Sequence, residues 1–197
     1  MVSEEVNLNE ALEAAGVEVV ETDLGEYILQ LAHEPPSHIV APAVHKSKEQ
    51  VAELFVQAHG KPRLTEIPAM TREAREELRE HFLTADMGIS GSNFVIAETG
   101  TTLTVTNEGN ADMVTTIPRI HVVITGIEKV IGTMEDFATL IRLLPRSAIG
   151  QTITNYLTLT TGLKMPGDAD GPEQMHIVLV DAGRTKLVGS DLQEMLR

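Results

Sequence analysis

Beyond Gly88 the chain alternates between two kinds of segment, and this alternation restricts its fold more than any other feature. FVIA, TLTVT, HVVITG and HIVLVD are short, β-branched and bounded by Gly, Asn, Asp or Pro, as sheet strands are. Between HVVITG and HIVLVD lies a helical pattern opened by Thr133 and Asp136, with Phe137, Leu140, Ile141 and Leu144 on one face. A break at Pro145 and a further helix near 147–157 follow. Strands separated by helices imply a layered α/β sheet with crossover connections.

The first half reads as helical. Leu8, Leu12 and Ala15 recur at helical spacing before Gly16, and the β-rich VEVVET segment comes next. A helix is expected over 24–32, ended by Pro35 and Pro36. Ser47 and Gln50 form an S-x-x-Q capping box ahead of Val51, Leu54, Phe55 and Ala58. An amphipathic helix is expected over 71–84, with Thr71 as N-cap and Ala74, Leu78 and Phe82 facing the core. At 197 residues the chain suits one domain, with MPGDADGPE as a surface loop.

Composition removes several functions. No cysteine is present, so these residues offer no disulfide, thiolate nucleophile or iron–sulfur ligand. A net charge of -14 without a Lys/Arg cluster argues against nucleic acid. No apolar run is long enough to span a bilayer, and the acidic start MVSEEVNLNE lacks the basic and apolar parts of an export signal. The cytoplasm is the expected compartment. Seven histidines (33, 38, 45, 59, 81, 121 and 176) show no ligand spacing, and GDADG lacks the rest of a calcium loop, so no metal site is expected.

The richest stretch for chemistry is GISGSNFVIAETGTTLTVTNEGN, residues 88–110. It places Glu98 and Glu108 at strand ends as candidate acid, base or nucleophile. Around them Gly88, Gly91, Ser92, Asn93, Thr99, Gly100, Thr101, Asn107, Gly109 and Asn110 are candidate anion-binding positions, because such loops can point successive N–H groups at one ligand. The same residues also serve turns that need positive φ, and composition alone leaves both readings open. GISG precedes a strand, so it is not a dinucleotide fingerprint. Arg119 and Arg146 could clamp a small carboxylate but read better as ordinary loop arginines, and no G-x-S-x-G elbow is present.

Four longer stretches carry a family resemblance: ETDLGEYILQLAHEPPSHIVAPAVHKSKEQV, ADMGISGSNFVIAETGTTLTVTNEGN, RSAIGQTITNYLT and DGPEQMHIVLVDAGRTKLVGSDLQEMLR. From about residue 17 onward the chain resembles the lactate-utilisation (LUD) domain found in the iron–sulfur subunits of bacterial L-lactate utilisation complexes. The resemblance implies an α/β/α sandwich similar to the NagB/RpiA/CoA-transferase and formyltetrahydrofolate cyclo-ligase group. It further implies a part in oxidising L-lactate to pyruvate beside two other subunits.

Members of that family have a segment before this region and ferredoxin-type cysteines after it that bind 4Fe-4S clusters. The chain is therefore expected to be a fragment, inactive alone, without cofactors of its own. An edge left open by such a division would favour a homo-oligomer or docking to other subunits. Two alternatives accompany this reading: a CoA-transferase or cyclo-ligase-like enzyme acting on an anionic substrate, with Glu98 of AETGT as counterpart of the transferase nucleophile, and a purely structural docking domain.

Overall fold

The computed structural model describes residues 2–38, 41–106, 108–154 and 156–196. The chain divides into two compact units, Asn9–Ala85 and Val2–Leu8 with Asp86–Arg197. Two short helices, α1 (Val2–Glu5) and α2 (Leu8–Ala14), open the chain.

The first unit is helical. In α3 (Leu24–Ala32) Asp23 accepts from the backbone N–H groups of Gly25 and Glu26, and His33 ends the helix in the left-handed conformation at φ 54°. In α4 (Lys48–His59) Ser47 and Gln50 form the expected reciprocal capping box. Helix α5 (Ile67–Thr84) begins four residues before the expected start and carries Pro68 in its first turn. Thr71 is therefore not an N-cap; its hydroxyl donates to Ile67 O one turn back.

Tyr27, Ile28, Leu29, Phe55, Ala74, Leu78 and Phe82 are buried in this unit, and Ala58, expected among them, is exposed. VEVVET forms no strand. The Gln30 side chain binds it instead, donating to Val19 O at 2.8 Å and accepting from Glu21 N at 2.9 Å.

The second unit holds two sheets. Sheet A is wholly parallel in the order β1-β4-β7, from β1 (Met87–Ser90), β4 (Ile120–Gly126) and β7 (Gln174–Val180). Sheet B runs β5-β2-β3-β6, from β2 (Phe94–Ile96), β3 (Thr101–Val105), β5 (Val130–Ile131) and β6 (Leu157–Thr160). Its β2/β3 and β3/β6 pairs are antiparallel and its β2/β5 pair is parallel. Ile96, Leu103 and Phe137 form its core cluster, flanked by Phe94, Val105, Ile131, Ile141 and Leu157.

The α/β class expected from the strand–helix alternation is thus present. Helix α6 (Asn110–Thr116) joins β3 to β4, and α7 (Met134–Leu140) starts at the expected Thr133–Asp136 capping box. Pro145 lies in the first turn of α8 (Leu144–Ile149), where its missing N–H costs no helical hydrogen bond. Gly150 ends α8 in the left-handed conformation, so the helix expected over 147–157 is short and Leu157–Thr160 form β6. Among the described residues no helix is long and apolar enough to cross a membrane.

Candidate functional site

The candidate residues of 88–110 separate into four places. The β1–β2 connection is Gly91, Ser92 and Asn93. Ser92 Oγ donates to Leu103 O at 2.9 Å and accepts from Leu103 N at 3.1 Å. Asn93 N donates to Leu103 O at 2.7 Å, and Asn93 Oδ1 accepts from Val105 N at 2.8 Å. Both side chains thereby serve the backbone of β3, with Thr125 Oγ1 donating to Ser92 O from β4.

Gly88 is not in a loop. It sits inside β1 opposite His121, and a Cβ there would overlap the Val114 carbonyl of α6. Its lack of a side chain lets helix approach strand.

The β2–β3 turn holds Glu98, Thr99 and Gly100, with Gly100 at φ 68°. Hydroxyls of Thr99, Thr101 and Thr161 form a chain at 2.6 and 2.7 Å. The exposed Glu98 carboxylate accepts from Met134 N at 3.3 Å, at the first turn of α7, a favourable place for negative charge.

At the other end of β3 lie Thr106, Glu108, Gly109 and Asn110, the last opening α6; Asn107 is outside the described residues. The five residues of β3 separate Glu98 from Glu108, which at the usual rise is about 17 Å. The two glutamates therefore cannot act on one small substrate together.

Glu108 lines an open cleft of about 410 Å³ with Thr106, Gly109, Asp112, Tyr156, Leu157 and Thr158. Thr158 Oγ1 donates to Asp112 Oδ1 at 2.6 Å. Among the described residues two carboxylates and no cation line this cleft, so their charge opposes an anionic ligand. A second cleft of about 320 Å³, lined by Ile131, Gly132, Asp136, Thr139 and Leu140, includes neither glutamate.

Arg119 stands apart, exposed just before β4, with Nη1 3.9 Å from Glu173 Oε2. It is thus at the amino end of sheet A, whereas ligands of open α/β sheets gather at the carboxyl ends.

At the carboxyl ends the sequence reading missed a different arginine. Arg184, reached from β7 through Asp181 and Gly183, donates from Nη1 and Nη2 to both Glu5 oxygens at 3.0 and 2.8 Å. Its Nε forms an ion pair with Glu128 Oε2 at 2.7 Å. The Glu128 carboxylate fills the space where a side chain at Gly126 would be.

Hydrogen bonding to Arg184 lowers the Glu5 carboxyl below its ordinary range, and the same bond raises the guanidinium. This fork has the geometry for holding a carboxylate, and here it holds that of Glu5. The sequence offers one signal for it, the arginine directly after the strand-ending DAG.

Two of the seven histidines have buried side chains. His121 on β4 is fully buried, with Nε2 2.8 Å from Ser90 Oγ and Nδ1 unpartnered; burial pushes its imidazole below the usual range. In the helical unit His59 lies between Tyr27 Oη at 2.9 Å and Glu73 Oε1 at 2.7 Å. Burial, with the charges of Glu77 and Glu73, raises the Tyr27 phenol.

Among the described residues no group of three or more His, Cys, Asp or Glu side chains could hold a metal ion. The chain has no thiolate at all, so its residues do not fit an iron–sulfur cluster.

The model of the LUD domain matches residues 3–180. Over its whole length the chain is 52% identical to "Lactate utilization protein B" of Lysinibacillus sphaericus and 52% identical to that of Geobacillus sp. (strain WCH70). It is 50% identical to the protein of that name from Oceanobacillus iheyensis. It spans 42%, 42% and 41% of these relatives, about two fifths of their length. A solved structure of a DUF162 family protein from Deinococcus radiodurans aligns over 91% of this chain and 98% of that one, at 17% identity and a TM-score of 0.37. With the family model matched across most of its length, the chain belongs to the LUD domain family.

Proposed function

We propose that this chain is the LUD portion of a lactate-utilisation protein. In this reading it works in the cytoplasm with other subunits to oxidise L-lactate to pyruvate. The observation that carries the proposal is identity of about half over the entire chain to proteins named Lactate utilization protein B. The 4Fe-4S clusters belong to the part of the protein outside these residues, because thiolates hold such clusters and this chain supplies none.

Its own contribution is a folded surface for neighbouring subunits, with the strand-end residue Glu108 exposed on it. The acidic lining around Glu108 weighs against the alternative of a transferase acting on an anion. The wholly parallel sheet A with its helical crossovers supports an α/β/α sandwich of the NagB/RpiA/CoA-transferase type for the complete domain.

The test is genetic. In a strain lacking Lactate utilization protein B, a hybrid gene is supplied in which this sequence replaces the matched stretch of the Lysinibacillus sphaericus protein. Growth on L-lactate as sole carbon source is expected. A hybrid that accumulates to normal levels without restoring growth would contradict the proposal.

A further inference from the structure

Strand β7 has the sequence of an interior strand and the surroundings of an edge. Its seven residues, QMHIVLV, include no charge, no proline and no bulge, the devices that usually blunt an exposed edge. One side pairs with β4 along the whole strand; among the described residues nothing pairs with the other side. Among the described residues of its own unit, both faces are uncovered as well. Ile177 is 36% exposed, Val178 45% and Leu179 44%, and these are successive residues, which point to opposite faces.

Parallel sheets are normally covered on both faces, and their strands read as near-continuous apolar runs. The composition of β7 fits that setting. Its exposure does not.

We propose that in the complete protein β7 is an internal strand, its free side paired by a further β-strand from the polypeptide that the relatives carry outside the matched stretch. The relatives supply ample chain, since this one spans only about two fifths of them. A second copy fits less well. A two-fold axis would pair β7 with itself antiparallel, against the wholly parallel order of sheet A, and would bring together two chains of net charge -14. The inference needs membership of the LUD family and not the lactate reading, so failure of the growth test would leave it standing.

Hydrogen exchange read by mass spectrometry on the purified hybrid protein, without other subunits, tests it. Amides of β4 at 122–125 serve as the internal reference. The expected result is that β7 amides at 176–179, including those directed away from β4, exchange within tenfold of the β4 amides at a mass of one chain. Exchange a hundredfold or more faster than β4 would overturn the proposal. Protection that grows with protein concentration alongside a doubled mass would replace it with a second copy. Protection that appears only on adding other subunits would replace it with a partner.

Discussion

At the scale of single residues, burial and charge decide more than residue type does. Glu26 is in the first turn of α3, yet burial, reinforced by Glu21 and Asp23, pushes its carboxyl up to about 7. A carboxyl raised from 4.5 binds more protons folded than unfolded between pH 4.5 and 7, so stability falls as pH rises through that window. Glu26→Gln is therefore expected to stabilise the helical unit at pH 8, by about 1 kcal/mol after allowance for solvent screening. The gain should vanish near pH 4. Urea unfolding followed across that range checks both points, and equal stability of the two proteins at pH 8 would contradict the assignment. His121 has the opposite sign: its lowered imidazole costs stability as pH drops below 6.5. The sequence could not disclose the Arg184–Glu5 pair, whose members are 179 residues apart, because nothing local marks one side chain as the partner of the other.

At the scale of elements, what was legible is what is local. The capping boxes Ser47–Gln50 and Thr133–Asp136 stand where three-residue spacing put them, because each is complete within one turn. Strands β2, β3, β4 and β7 likewise follow from their β-branched runs. Errors arose where a neighbour decides. VEVVET has strand composition, but the Gln30 amide binds its backbone in place of a ladder. Gly150 stops α8 and frees Leu157–Thr160 to pair with β3.

Gly88 was read as a loop residue, yet its role is the approach of α6 to β1. Gly88→Ala is expected to cost about 3 kcal/mol, because the added methyl meets backbone that cannot swing aside. Gly91→Ala, whose methyl would find its nearest neighbour 4.0 Å away, should stay within about 0.5 kcal/mol of the parent. Chemical denaturation of the two variants separates a packing role from a loop role; equal losses would contradict it.

For the whole molecule, the family and the α/β class were readable from sequence. The sequence has no cysteine, so these residues offer no thiolate ligand for an iron–sulfur cluster. The candidate residues of 88–110 largely serve the turns and backbone of sheet B, with Glu108 left in an acidic cleft and Glu98 at the start of α7.

The most direct measurement is L-lactate-dependent reduction of an artificial electron acceptor by the complex purified with the hybrid protein, beside its iron content. Iron content equal to that of the parent complex and a rate within tenfold of it are expected. A complex that assembles with full iron but reduces no acceptor on addition of L-lactate would contradict the assignment of this chain to lactate oxidation.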